Sequence, residues 1–157
     1  MIKTVKELYR RCVSYIKQGG LLSEEFEVTK GLCQGCCLSP TLFKIYVEKA
    51  NTWKGICFGM GYNVDNTAIY MLQFADIQVV MAQSKEDLEY MGQKLQEEYC
   101  KWGFTMNIAK TKYMSLGTDT NHLEVDNGDI ITGYAEFVYL GTIFTKTEET
   151  LKIYATG

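Results

Sequence analysis

The chain has 157 residues, of which 46% are hydrophobic and 22% are charged, with a single proline and 14 glycines. This balance is typical of one globular domain of ordinary size and excludes a disordered or a collagen-like chain. The formal net charge of −3 at pH 7 argues against a protein that, taken as a whole, is a dedicated nucleic-acid binder.

The hydropathy pattern favours an intracellular chain. The longest apolar runs fall far short of the ~20 residues that span a bilayer, so we expect no membrane-crossing helix. No apolar stretch precedes the first charges at the N-terminus, so no secretory signal is predicted. The six cysteines are therefore expected to be reduced thiols, and three of them cluster at Cys33, Cys36 and Cys37.

Apolar spacing and end signals predict two helices in the first third of the chain. The first runs from Val5 to about Gln18, where the pair Gly19-Gly20 ends it. The second begins at Ser39-Pro40, because serine can cap a helix and proline fits its first turn, and it ends near Ala50.

A third helix is predicted over residues 85–102, between a capping box at Ser84 and a helix-ending Gly103. Before it, the β-prone runs Tyr70–Phe74 and Ile77–Met81 predict a hairpin with Asp76 at its tip. After α-helical residues 85–102, three single strands are predicted, at Phe104–Ile108, Lys112–Leu116 and Phe137–Phe144. A hairpin is predicted from Leu123–Val125 to Ile130–Ile131, around the turn Asn127-Gly128. A last helix is expected to begin within Glu148–Tyr154.

This order of elements predicts an α+β fold, with a short antiparallel sheet and helices on one of its faces. The sequence contains no internal repeat, low-complexity segment or linker, so residues 1–157 are predicted to form a single domain.

Two segments are candidates for chemistry. The glycine-containing loop Gly31–Leu38 leads into a capped helix, and such a loop lets a nucleotide approach the backbone closely. Asp76 places one carboxylate between two apolar strands. Taken alone, each segment is more typical of ordinary turn chemistry than of a functional site.

Taken in order, four motifs resemble reverse transcriptases of non-LTR (LINE-type) retrotransposons. They are the segment Gly31…Gln34-Gly35…Ser39-Pro40…Leu42-Phe43, then Phe74-Ala75-Asp76, then Trp102-Gly103-Phe104…Asn107…Lys110-Thr111-Lys112, and finally Phe137-Val138-Tyr139-Leu140-Gly141. The resemblance extends over nearly the whole chain and implies a partial reverse-transcriptase palm, whose ancestral activity is RNA-directed DNA synthesis on an RNA or DNA template-primer.

The resemblance also implies roles for individual residues. It assigns a catalytic, Mg²⁺-binding carboxylate to Asp76 and a position near the triphosphate to Lys110 or Lys112. The residues implied to line the nucleotide and template pocket are Gln34, Gly35, Ser39, Pro40, Phe74 and Ala75. Those implied to grip the primer end are Tyr139, Leu140 and Gly141. The resemblance does not decide between the two lysines.

The departures from the family pattern matter for catalysis. Ile77 replaces the second aspartate of the hairpin, Cys33 stands where the family usually has arginine, and Cys37 where it usually has proline. The family's first aspartate strand and its basic fingers would precede Met1, and its thumb would follow Gly157. Nucleotidyl transfer needs two divalent ions about 3.5–4 Å apart, which a single carboxylate cannot hold, so we expect no synthesis by this chain alone.

The spacing of Cys33, Cys36 and Cys37 also resembles half of a zinc site. Cys57 and Cys100 could complete a tetrahedron, but the sequence contains no second CxxC or HxxxH pair, so we expect no structural zinc.

Two alternatives to an enzyme remain open. A non-catalytic module could bind nucleic acid or protein, using the net charge of +4 over residues 1–20 together with Lys101, Lys110 and Lys112. A decayed remnant would have no selected function. Because the family's aspartate strand lies beside the hairpin Tyr70–Met81, we also expect an open strand edge there, which either a second copy or the strand Phe137–Phe144 would cover.

Overall fold

The structure, a computed structural model, describes residues 2–10, 12–115, 122–125 and 128–145, together with the backbone of residues 152–156. The chain divides into two compact units, Met1–Ser39 and Pro40–Gly157.

In its described residues, the first unit holds one short helix and two small pairs of strands. Helix α1 (Ile2–Leu8) is followed by β1 (Val13–Ser14), which pairs antiparallel with β4 (Phe26–Glu27). Between them, β2 (Lys17–Gln18) pairs with β3 (Leu21–Leu22).

The prediction of a first helix running to Gln18 is wrong, because α1 ends at Leu8. Gly19 and Gly20 have φ angles of 58° and 87°, the pattern of the two-residue turn that matches the twist of a hairpin. The glycine pair therefore turns a strand back on itself and does not terminate a helix.

The second unit contains three helices and ten strands among the residues that the structure describes. The helices are α2 (Ser39–Ala50, beginning at the boundary), α3 (Trp53–Ile56) and α4 (Lys85–Lys101). The strands are β5 (Tyr62–Val64), β6 (Thr67–Ile69), β7 (Met71–Phe74), β8 (Ile77–Ala82), β9 (Lys112–Ser115), β10 (His122–Val125), β11 (Asp129–Thr132), β12 (Glu136–Tyr139), β13 (Thr142–Thr145) and β14 (Lys152–Thr156).

The main sheet has four antiparallel strands in the order β7-β8-β14-β9. Strand β14 lies between β8 and β9, so that Ala155 is opposite Val79 on one side and Lys112 on the other. A helix beginning within Glu148–Tyr154 is therefore wrong for the part that the structure describes, since Lys152–Thr156 is a strand with partners on both sides. Backbone pairing with two neighbours outweighs whatever local helical preference this segment has.

Each face of the sheet covers a separate hydrophobic cluster. On one face, residues of β8 pack with α3, α4 and the β10–β11 hairpin; this larger cluster includes Trp53, Cys57, Val80, Leu88, Met91, Leu95, Leu123 and Ile131. On the other face, the smaller cluster consists of Val79, Met81, Met114 and Phe137, with Tyr62, Ile69 and Tyr139 against it. The helices thus lie on one face, and the predicted α+β class is confirmed.

Helix α4 is confirmed with its predicted capping residues. The Ser84 hydroxyl accepts a hydrogen bond of 3.0 Å from the Asp87 N–H. At the other end, Gly103 has a φ of 74° and donates to the Cys100 carbonyl, while Phe104 N–H donates to Tyr99 O at 2.9 Å. These two bonds form a Schellman motif, which satisfies the last carbonyls of the helix.

Two strand predictions after α4 are wrong. Phe104–Ile108 is not a strand, because Phe104 N–H caps the helix and Asn107 closes a turn with Lys110 and Thr111. Phe137–Phe144 is not one strand but the β12–β13 hairpin, which turns at Leu140 and Gly141 with φ angles of 50° and 82°.

The remaining predictions in this region are confirmed or lie outside the description. Strand β9 and the β10–β11 hairpin are present as expected, whereas Leu116 and Asn127 lie outside the described residues. The edge of β8 is covered by β14 and not by Phe137–Phe144, because that segment pairs with itself. Within the described residues, no helix is both long and apolar enough to cross a membrane.

Candidate active site

The β7–β8 hairpin presents Asp76 as the sequence predicts. Phe74 pairs with Ile77, so the two-residue turn consists of Ala75 and Asp76. Ala75 has a φ of 52°, and positive φ at the first turn residue alone is typical of a type II′ turn. Glycine normally occupies that position, so the alanine is held in a strained conformation beside the candidate carboxylate.

Asp76 and Lys110 line one pocket of about 250 Å³ in the second unit. Its other lining residues are Phe43, Val47, Gln78, Leu95, Tyr99, Phe104, Thr105, Met106 and Asn107. The pocket is smaller than the roughly 300–1,000 Å³ of typical small-molecule sites. Its size suits part of a ligand, with one acidic and one basic side chain among mainly apolar walls.

The structure separates the two lysines that the sequence left as alternatives. Lys110 lies in a turn where the Asn107 carbonyl accepts hydrogen bonds from Lys110 N–H and Thr111 N–H, both at 3.0 Å. The Thr111 hydroxyl also donates to Asn107 O at 2.8 Å, which fixes the turn further. Lys112 instead lies on β9, with its ammonium 4.8 Å from the centre of the Tyr134 ring, and it does not line the pocket.

A chain of side-chain hydrogen bonds connects the pocket to the hairpin turn. Gln78 donates to the Tyr99 hydroxyl, which donates to Asn51 Oδ1 at 2.8 Å. Asn51 Nδ2 donates to Gln73 Oε1 at 3.0 Å, and Gln73 Nε2 donates to the Ala75 carbonyl at 3.3 Å. Every bond points the same way, an arrangement in which neighbouring hydrogen bonds strengthen one another. The chain supports the turn that holds Asp76.

Burial explains why this chain of hydrogen bonds is robust to pH. It raises the pKa of the Tyr99 phenol, and the hydrogen bond from Gln78 opposes that shift only in part. The hydroxyl therefore stays protonated, and able to donate to Asn51, throughout the neutral range.

Sequence reasoning missed these four polar residues, which come from β7, β8, α4 and the residue that directly follows α2. Only Gln78 carried a signal, as the one amide in the apolar run of β8, where it is 3% exposed. A buried amide needs hydrogen-bond partners, so a glutamine in such a strand indicates a polar network.

Aromatic contacts hold one wall of the pocket. The Phe104 ring lies 6.2 Å from Phe43, 5.3 Å from Tyr46 and 5.4 Å from Tyr99, measured between centroids. The Tyr46 hydroxyl donates to the Trp102 carbonyl, and their rings meet edge-on at 5.6 Å. These contacts fix the segment after α4 against α2.

The predicted pocket residues of the loop lie in the first unit. Gly35 has a φ of 84°, which only glycine adopts without strain. Ser39 is buried, donates to the Cys33 carbonyl at 2.7 Å and lies 3.1 Å from the Tyr9 hydroxyl oxygen. Gln34 is exposed, and Pro40 occupies the start of α2 in the second unit.

Other predicted site residues do not line the pocket. Phe74 and Ala75 flank Asp76 in the hairpin but are exposed. Tyr139 ends β12 and packs against the smaller hydrophobic cluster, while Leu140 and Gly141 form the β12–β13 turn.

In the part of the chain that the structure describes, the pocket lacks the carboxylates for the two Mg²⁺ ions that the resemblance implies. Among its described lining residues, Asp76 is the only carboxylate, and the other side-chain oxygens, on Gln78, Tyr99, Thr105 and Asn107, are uncharged. Ile77 supplies no ligand. These residues therefore do not fit a two-ion clamp.

Cys33, Cys36 and Cys37 were the sequence's candidates for half of a zinc site. Within the described part of the chain, no group of three or more histidine, cysteine, aspartate or glutamate side chains is arranged to hold a metal ion.

Comparison with known proteins gives one family match. The family model described as "Reverse transcriptase (RNA-dependent DNA polymerase)" matches residues 2–144. No curated protein matches the chain.

Proposed function

Because the chain belongs to the reverse transcriptase (RNA-dependent DNA polymerase) family, we propose that it is part of the palm of a non-LTR, LINE-type retrotransposon enzyme. In this proposal it keeps a nucleic-acid-facing pocket but does not catalyse DNA synthesis by itself. The LINE-type assignment rests on the four ordered motifs, and the assignment of residues 1–157 to one partial reverse-transcriptase domain rests on the same motifs.

One observation carries the proposal: Asp76 and Lys110, which come from two different motifs, line the same pocket. They are 34 positions apart in the sequence, and their side chains are the charged groups of that pocket. A pocket lined by one carboxylate and one ammonium, with aromatic and apolar walls, suits a phosphate and sugar with an adjoining base. We assign the position near the phosphate to Lys110 and not to Lys112.

The loss of catalysis follows from the residue beside Asp76. Family members generally use Mg²⁺, which carboxylates hold together with substrate phosphates. Ile77 occupies the next position and pairs with Phe74, so the hairpin offers one carboxylate where the reaction needs more.

Primer extension on an RNA or a DNA template, with Mg²⁺ or Mn²⁺, tests this part of the proposal. We expect no template-dependent product even at high protein concentration. Extension that is lost in Asp76→Ala, but retained in Asp65→Ala, would overturn it. Asp65 is a suitable control because it lies in the turn between β5 and β6, away from the pocket.

Binding tests the pocket itself. Affinity for a primer-template duplex should be weak and should fall steeply with salt, because a few lysines in a chain of net charge −3 supply it. Lys110→Gln should weaken binding several-fold at low salt, and Lys112→Gln should weaken it less. Equal effects of both substitutions would contradict the assignment of Lys110, and tight, salt-insensitive binding would contradict the proposed surface.

The pocket favours a binding module over the other alternative, a remnant without selected function. If neither lysine substitution changes the affinity, the pocket does not recognise nucleic acid and the remnant becomes the better account.

A further inference from the structure

Two thiols that are distant in the sequence meet in the first unit. Cys12 Sγ and Cys33 Sγ are 3.8 Å apart, although 21 positions separate the residues. This separation is close to van der Waals contact, and a disulfide would bring the sulfurs to about 2.05 Å. Cys33 is exposed and Cys12 is half-buried, so a small reagent has access to the pair.

Backbone hydrogen bonds hold both cysteines in place. The Cys12 carbonyl accepts a bond of 2.7 Å from Val28 N–H, next to the β1–β4 pairing. The Cys33 carbonyl accepts from the Ser39 hydroxyl at 2.7 Å and from Cys36 N–H at 3.2 Å. The contact between the sulfurs is therefore a feature of the folded unit and not of two loose chain ends.

We propose that Cys12 and Cys33 form a site of reversible disulfide modification. The oxidant is a low-molecular-weight disulfide such as oxidised glutathione. One protein thiolate attacks it and releases one small thiol, leaving a mixed disulfide; the second protein thiolate then attacks the mixed disulfide and releases the other small thiol. Two electrons pass to the oxidant, and the two protons lost by the protein thiols are taken up by the two small thiols that are released.

The disulfide would close a ring that contains both small hairpins of the first unit. The β1–β4 and β2–β3 pairs lie between Cys12 and Cys33 in the sequence. The bond would also fix the start of the loop Gly31–Leu38. A cross-link of this kind restricts the conformations that the connected chain can adopt.

A neighbouring cysteine is the main competitor. A hydrogen bond with the backbone of Leu38 lowers the pKa of the Cys36 thiol, so Cys36 is expected to react early with a small disulfide. The hydrogen bond with Cys12 raises the pKa of Cys33. The experiment must therefore separate a Cys12–Cys33 bond from a mixed disulfide at Cys36.

Peptide mapping makes this distinction. The full chain is equilibrated with reduced and oxidised glutathione, quenched with acid and N-ethylmaleimide, digested with trypsin and analysed by mass spectrometry. The expected dominant product is the peptide Cys12–Lys17 linked to the peptide Gly31–Lys44. Because the second peptide contains three cysteines, the variants Cys33→Ser, Cys36→Ser and Cys37→Ser are mapped in parallel.

We expect Cys33→Ser to reduce the linked peptide at least tenfold, and Cys36→Ser and Cys37→Ser to retain it. Oxidation of the unsubstituted chain in concentrated urea gives a reference that depends on no variant folding. A linked peptide no more abundant in the folded chain than in urea would overturn the proposal. So would a link that persists in Cys33→Ser. Neither result bears on nucleic-acid binding at Lys110, so the two proposals fail separately.

Discussion

Ala75 is strained because of the turn that presents Asp76. A non-glycine residue with a φ of 52° carries its Cβ close to the following carbonyl, at a cost of about 1–2 kcal/mol. Strain of this kind persists where the surrounding contacts hold it, and here Gln73 Nε2 bonds the Ala75 carbonyl.

Ala75→Gly should therefore stabilise the protein by roughly 1 kcal/mol, measured as a shift in the midpoint of urea unfolding. Ala68→Gly is the matched control, because Ala68 is exposed in an ordinary strand, where glycine costs about 0.5–1 kcal/mol. If both substitutions destabilise the protein to the same extent, Ala75 is not strained in solution.

The Cys36 thiol should ionise at a lower pH than the Cys33 thiol. The backbone of Leu38, then the Ser39 and Tyr9 side chains, lower its pKa, against an opposing effect of burial. A lowered pKa means that the reactive thiolate is present at lower pH, so the pH midpoint of iodoacetamide alkylation at Cys36 should lie below that at Cys33, whose pKa is raised.

Residue-specific alkylation read by mass spectrometry tests this order. Ser39→Ala removes one of the favourable hydrogen bonds and should move the Cys36 midpoint upward. A Cys36 midpoint equal to that of the same thiol in urea would contradict the assigned environment.

Among the elements, the end of α2, helix α4 and the β7–β8 hairpin are connected through the Tyr99 hydroxyl, because Asn51 directly follows α2. Removing it leaves Asn51 Oδ1 without its donor and Gln78 without its acceptor, both in buried side chains. An unpaired buried polar group costs about 1–3 kcal/mol, much more than the net value of an exposed hydrogen bond.

Tyr99→Phe should therefore lower the free energy of unfolding by roughly 1–3 kcal/mol. Because the folded pKa of Tyr99 is raised, this contribution is fully present below the phenol's ordinary pKa and is lost only as the pH rises above it. Denaturant unfolding at two pH values in the neutral range should thus give the same loss. Tyr90→Phe on the exposed side of the same helix is the control, and an equal loss there would exclude a role for the network.

The whole second unit depends on β14, because β8 and β9 pair with it and not with each other. Ala155 lies inside this strand, opposite partners on both sides, whereas Thr156 is opposite Gln78 alone. Proline cannot donate a ladder hydrogen bond and is confined to strand edges and ends.

Ala155→Pro should destabilise the protein by about 1–3 kcal/mol, and Thr156→Pro should destabilise it less. Opening this position exposes the edges of β8 and β9, so Ala155→Pro should also promote self-association in sedimentation velocity experiments across a range of concentrations. A stable variant that stays monomeric would show that the sheet does not need its central strand.

The sequence by itself determined the elements whose signals are local. The capping residues and apolar stripe of α4, the Asp76 turn between two β-prone runs, the turn at Gly128 and the family motifs are all contained within short windows. Hydrogen bonds and side-chain spacing within a few residues decide such features, so the pattern is sufficient.

Only the tertiary structure decided which distant residues meet. It placed Lys110 and not Lys112 beside the pocket, and it put Lys152–Thr156 in the centre of the sheet. Each of these outcomes depends on a partner that is absent from the local window, whether a strand edge, a ring or a buried amide. Pairing and burial with distant segments contribute more free energy than local propensity, and for that reason they override it here.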